Sequence, residues 1–200
     1  MKFFFLWFPV VLTCINGLTP SFNTQHSMFR TGIISDTSDL VAAGAKLQLV
    51  SSQFSFTEGP AANKAGDVYF TDQPNDKIWK YDTKGNLSLF MEKTGRSNGL
   101  YFDKKGNLIS CADEKNELWS IKPNKKVTVL LKDHGGKHFN GPNDLWVHPG
   151  GQIYFTDPYY QRSYWKRKSP EIAGQKVYYL PKGSKKRSSL TTCFSSQMEL

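Results

Sequence analysis

Cysteine is scarce: Cys14, Cys111 and Cys193 are the only three in a chain of 200 residues. One lies inside an N-terminal apolar stretch, so the three cannot build a disulfide scaffold, and no C-x-x-C spacing points to zinc or dithiol chemistry. Uninterrupted helix-forming stretches are missing too, because 16 Gly and 10 Pro punctuate the chain too often for a coiled coil or long helices. No Gly-x-Ser-x-Gly elbow is present, and His134, His138 and His148 stand in no nucleophile motif, which leaves serine-hydrolase chemistry unsupported. Acidic residues are the minority charge, 17 against 26 basic, for a formal net charge of +9. Such a balance raises nucleic acid or acidic lipid as partners. The excess gathers in Arg162, Lys166, Arg167 and Lys168 and again in Lys182, Lys185, Lys186 and Arg187, without one amphipathic element or interleaved aromatics. It reads as solvated loops, and no nucleic-acid partner is expected.

What is abundant favours strands. The chain holds 14 Phe, 9 Tyr and 5 Trp, and its 38% hydrophobic content is enough to bury a core. An all-β protein is expected. At the N-terminus Lys2, the apolar run 3–12 and the smaller or polar residues up to Gly17 have the three parts of a secretory signal peptide. The run is too short to span a bilayer, and no second one of spanning length follows. Residues 1–17 are therefore read as a signal peptide, residues 18–45 as a polar linker, and the protein as exported to the periplasm or beyond the cell, with no membrane partner after cleavage. A buried strand or helix is the plainer reading of the same run.

Self-similarity organises the rest. Tyr69-Phe70-Thr71-Asp72 recurs as Tyr154-Phe155-Thr156-Asp157, and Leu108-Ile109-Ser110-Cys111 holds the place between them. Each follows a turn glycine: Gly66, Gly106 or Gly151. A second short segment comes downstream (78–81, 118–121 and, after an insertion, 177–180), a third follows twice (86–90 and 127–131), and apolar strands precede the glycines. Four strands per unit at this period describe β-propeller blades, which bury their faces only against neighbouring blades. About three blades fit into residues 46–183. A β-sandwich with regular hairpins is the alternative that the in-register recurrence disfavours.

Alignment on the turn glycines places Glu58, Asn98 and Asn143 at one equivalent position, each eight residues before its glycine. Innermost propeller strands begin around one mouth of the central channel, so three oxygen-bearing side chains converge there. Oxygen ligands from separate parts of a chain suit a hard cation such as Ca²⁺, and the lack of His and Cys argues against zinc. Each residue also sits in a good turn sequence, where its side chain would serve only its own backbone. Asp72, Asp113 and Asp157 recur as well and are expected to be structural turn formers. The insertion 162–172, with Tyr159, Tyr160, Tyr164 and Trp165 beside it, is either an aromatic lid or a surface loop.

In Phe56-Thr57-Glu58-Gly59-Pro60, Gly141-Pro142-Asn143-Asp144 and the Tyr-Phe-Thr-Asp strands, the chain resembles the gluconolactonase and regucalcin family, which also includes luciferin-regenerating enzymes. The resemblance runs from about Leu47 to Gly183. It implies a six-bladed propeller with one divalent cation, usually Ca²⁺, in the channel, for which Glu58 and Asn143 would be metal ligands. Asn98 lies in the blade between and is expected as a channel-facing polar group. The implied reaction is hydrolysis of a sugar lactone. The family's later Asn and Asp, the latter its candidate general base, have no counterpart, and residues 184–200 read as a divergent tail. A truncated or frame-shifted reading frame, with weak or no activity of its own, is expected. The rival from another class is a non-catalytic propeller used as a binding platform.

Overall fold

The computed structural model describes residues 44–183 and 191–196. The chain divides into two units, Met1–Leu47 and Gln48–Leu200, and every described strand belongs to the second. The leader read in residues 1–17 and the linker up to residue 43 lie outside the described residues, as do 184–190 and 197–200.

The second unit is all-β, with three four-stranded antiparallel sheets each formed by consecutive strands. The first contains β1 (Thr57–Ala62), β2 (Val68–Asp72), β3 (Lys77–Tyr81) and β4 (Leu87–Glu92). The second contains β5 (Ser97–Phe102), β6 (Leu108–Ala112), β7 (Glu117–Ile121) and β8 (Val127–Leu131). The third contains β9 (Leu145–Val147), β10 (Ile153–Asp157), β11 (Gln175–Leu180) and β12 (Thr191–Ser196). These are three successive blades of a β-propeller. Strand β12 falls in the stretch that the sequence sets apart as a divergent tail, and its backbone pairing with β11 makes it the outer strand of the third blade.

Local chemistry explains the meander. In the first two blades the turn between the first two strands is built on an Asx side chain: Asn63 Oδ1 accepts the amides of Ala65 and Asp67, and Asp103 Oδ1 those of Lys105 and Asn107. The three turn glycines close the hairpins at φ of +92°, +79° and +95° for Gly66, Gly106 and Gly151, a region closed to most residues with a Cβ. Strand alternation then sends neighbours to opposite faces. Leu108 joins Ala61, Tyr69, Ile78, Leu100 and Ile121 between the first and second sheets. Ile109, next in line, joins Cys111, Leu118, Phe139, Phe155 and Tyr178 between the second and third. Each large apolar side chain removed from water here contributes about 1.5–3 kcal/mol.

The pairing bears out the equivalence of Glu58, Asn98 and Asn143. Glu58 stands opposite Thr71, the Asn143 amide bonds the carbonyl of the equivalent Thr156, and β1 and β5 carry the same bulge, at Glu58/Ala61 and Ser97/Leu100. It corrects the expected recurrence of Asp72, Asp113 and Asp157. Thr57 pairs with Asp72 but Ser97 pairs with Ala112, so Ala112 fills the aspartate slot of the second blade and Asp113 lies one residue beyond it, in a 3-10 turn.

Candidate functional site

The inner strands of the three blades are tied together at the end where Glu58, Asn98 and Asn143 lie. The Thr71 hydroxyl is placed 3.1 Å from both the Glu58 and the Asn98 carbonyls, and the Gly99 amide donates to the Asn143 carbonyl at 2.7 Å. Close approach of the backbones is possible because the facing residues lack side chains. A Cβ on Gly59, at φ of +52°, would stand 2.4 Å from the Asn98 carbonyl oxygen, and one on Gly99 would stand 2.7 Å from that of Asn143. The three predicted positions thus share one end of the blades, with Asn98 buried and Glu58 and Asn143 half-buried.

Charge is concentrated there. Burial pushes the Glu58 carboxyl above its ordinary range; the Gly59 amide opposes this, the Asp144 carboxylate adds to it and the Arg162 guanidinium opposes it. Asp144 also comes within reach of Gly99, where an added Cβ would lie 2.5 Å from Asp144 Oδ1. Among the described residues no three His, Cys, Asp or Glu side chains group closely enough to hold a metal ion. Any ligand set here therefore needs amide or carbonyl oxygens beside Glu58, and that hard-oxygen chemistry fits Ca²⁺ better than a transition metal. Asn143 also lines a cleft of about 310 Å³ together with Thr156, Asp157, Tyr160, Lys176 and Val177.

The insertion after β10 is fastened to the second blade through Asp113. One carboxylate oxygen, Oδ2, accepts from Gln73 Nε2 at 3.1 Å, from Arg162 Nε at 3.0 Å and from the Tyr164 hydroxyl at 2.5 Å, while Trp165 Nε1 donates to the Asp113 carbonyl at 3.2 Å. Arg162 and Arg167 are consequently not solvated charges, which corrects half of the loop reading for 162–168. Arg162 pairs with a carboxylate that is 2% exposed, and Arg167 donates to the Asn140 carbonyl and lies 4.2 Å from the Trp165 ring. Lys166 and Lys168 are exposed, as expected. Tyr160 remains exposed beside the cleft.

Residues 56–195 match the family described as the SMP-30/Gluconolactonase/LRE-like region. The chain belongs to this family. Its relatives include the gluconolactonase of Zymomonas mobilis, 26% identical over 129 residues that make up 57% of this chain and 36% of that enzyme. A gluconolactonase of Xanthomonas campestris superposes with a TM-score of 0.67 at 26% identity, over 73% of this chain and 50% of that one. Regucalcin of Agrobacterium tumefaciens, a calcium-binding protein, shares the fold alone, at a TM-score of 0.52 and 14% identity over 73% and 45% of the two chains. The chain thus spans between a third and a half of the length of these relatives.

Sequence reasoning on this family member found Glu58, Asn98 and Asn143 through their common offset from a turn glycine. It missed Gln73, Asp113, Arg162 and Tyr164 as a group, because they come from three blades and no spacing links them. A signal for one was present: Asp113 lies 40 positions after Gln73, the offset that relates the first two blades, and so is equivalent to Gln73 rather than to Asp72. Among the described residues no helix is long and apolar enough to cross a membrane.

Proposed function

We infer that this chain carries part of the active site of a gluconolactonase-type hydrolase, which opens a sugar lactone such as an aldonolactone and uses one divalent cation, most simply Ca²⁺. The observation that carries the reading is the meeting of Glu58, Asn98 and Asn143 at one end of three blades, with Glu58 facing the charge of Asp144. Two carboxylates in a partly buried setting are destabilised by each other, and a hard cation relieves both.

Glu58 and Asn143 would hold the cation, and Asn98 would line the channel as a polar group. When bound, the cation would supply Lewis-acid chemistry toward the ring-ester carbonyl. The chain's own groups orient the substrate: Asn143 offers an amide at the cleft, Tyr160 an aromatic face for a sugar ring, and Arg162 a positive charge that tempers Glu58. No general base is assigned among the described residues. Export directed by residues 1–17 belongs to the same reading and is checked by N-terminal sequencing of the mature protein.

Acid release from glucono-1,5-lactone is the direct test, measured with and without EDTA on the chain and on Glu58→Gln. For a chain that carries part of the site the rate above the spontaneous background is expected to be small, and both chelation and the substitution abolish whatever part of it the cation supports. A rate indifferent to both removes the cation from the reading. Ca²⁺ binding without turnover of any lactone favours the platform alternative.

A further inference from the structure

The two ends of the first and second blades differ in charge. Glu58 and Asn98 lie at the end where β1 and β5 begin, and the hairpin turns 63–67, 82–86, 103–107 and 122–126 lie at the other. Across a six-residue strand that is a separation of about 20 Å. Lysine marks these turns: Lys64, Lys84 and Lys104 stand 20 residues apart, and the last turn carries Lys122, Lys125 and Lys126. The carboxylates of the same turns are already engaged. Asp67 pairs with Lys80 at 2.8 Å, and Asp82 and Asp103 each accept two amides of their own turn. Among the described residues no ion pair includes Lys64, Lys122 or Lys125.

A groove of about 300 Å³ opens at this end between the first and second blades, and strands and turns of these two blades form both of its walls. Tyr69 is its centre. Phe90 and Phe102 stand edge-on to Tyr69, with ring centroids 5.0 and 5.1 Å away. Leu108 and Ile121, each 1% exposed, close the groove from below, whereas Phe90 and Phe102 are half-buried and turn ring surface into it. Lys64 lines it from the first blade and Lys122 from the second, and Lys125 Nζ lies 5.7 Å from the centre of the Phe90 ring.

Blade packing does not call for these three rings. At the junction of the second and third blades the same positions hold Ile109, Leu130 and Val147, which pack in one core cluster without an aromatic among them. The first junction therefore carries aromatic surface beyond what the fold needs, beneath cations that no carboxylate neutralises. Small-molecule sites combine an apolar or aromatic lining with a few polar groups, and about 300 Å³ is the low end of their size, which suits one ring system. Rings favour the edge or offset face of another ring, and ammonium groups favour a carboxylate.

We propose that this groove is a second binding site, for an aromatic carboxylate, with the ligand ring against Phe90 and Phe102 and its carboxylate between Lys64 and Lys122. The site stands apart from Glu58 and does not depend on the lactone reaction.

Titration of 2-naphthoate into the isotope-labelled full chain, followed by amide chemical shifts, tests this. Saturable shifts centred on 63–67, 102–108 and 121–125 are expected. Their absence, or shifts gathered elsewhere, overturns the site. 2-Naphthylmethanol, which keeps the rings and loses the charge, should bind about tenfold more weakly; equal affinity overturns the carboxylate. Octanoate should also bind more weakly, and equal affinity overturns the aromatic class. Lys64→Gln combined with Lys122→Gln, both at exposed positions, should bring 2-naphthoate down to the affinity of the alcohol. Phe90→Leu combined with Phe102→Val, which installs the residue types of the second junction, should abolish the shifts while the remaining spectrum is kept. Affinity unchanged in both double variants overturns the proposal, and should the aromatic pair fail to fold, the lysine pair alone decides.

Discussion

The outer two blades and the middle one anchor the loop that enters them in different ways. In the first blade the Asp72 carboxylate accepts the amides of Ser55 and Phe56, and in the third Asp157 accepts those of Asn140 and Gly141. The middle blade has Ala112 in that slot. Its entering loop is held from outside, by Asp76 of the first blade, which accepts the Thr94 hydroxyl and the Arg96 amide, and from within by contact between the Ser97 and Ser110 hydroxyls. One structural need is thus met by two chemistries. Where the neighbour supplies the anchor, the blade's own aspartate, Asp113, is left to bind Gln73 and the insertion.

The largest effect that would test this contrast is expected from Asp157→Ala. It leaves two buried amides without acceptors and should cost about 4 kcal/mol in denaturant unfolding, close to the whole stability of a marginal domain. A loss below about 1 kcal/mol would mean that the anchor is dispensable and the contrast only descriptive.

Protonation sharpens the comparison. Burial outweighs the two amides and holds the Asp157 carboxyl at about 6, above the ordinary 3.8. A raised carboxyl binds its proton more tightly in the folded chain, so its contribution is present below the unfolded value and is lost as pH rises through the window from about 4 to about 6. The loss is about 3 kcal/mol at full development. The wild type should lose that stability relative to Asp157→Asn across the window. A difference between the two that does not change with pH would place the Asp157 carboxyl in an ordinary environment.

The smallest effect is expected in the middle blade. Asp113→Asn keeps the shape but removes the charge that Arg162 and Tyr164 share, at about 2 kcal/mol. Its signature is local: amide exchange should accelerate across 162–167 while β6 and β7 stay protected. Uniform acceleration would instead make Asp113 a part of the core.

Much of this was legible in the sequence because a propeller writes its period into turn chemistry. Gly66, Gly106 and Gly151 sit where a positive φ is required, and counting back from them reached Glu58, Asn98 and Asn143 without coordinates. Asp113 was misaligned by one residue, since Ala112 broke the aspartate recurrence and the nearest carboxylate looked like its replacement. The outer strand Thr191–Ser196 was illegible for another reason: ten residues separate it from β11, against five between the third and fourth strands of the other blades, and its membership rests on backbone pairing to β11. Arg162 and Arg167 looked solvated because composition is blind to the Asp113 carboxylate and the Asn140 carbonyl that they meet in space.

The bare glycines where the inner strands touch, Gly59 and Gly99, have a consequence for how such a pocket changes over time. Spacing at the rim is set by main chain resting on main chain, so the polar groups mounted there can be exchanged one at a time without shifting their neighbours. A scaffold of that kind can acquire a new ligand preference by substitution alone, while any bulk added at the two glycines would pry the strands apart and alter every position at once.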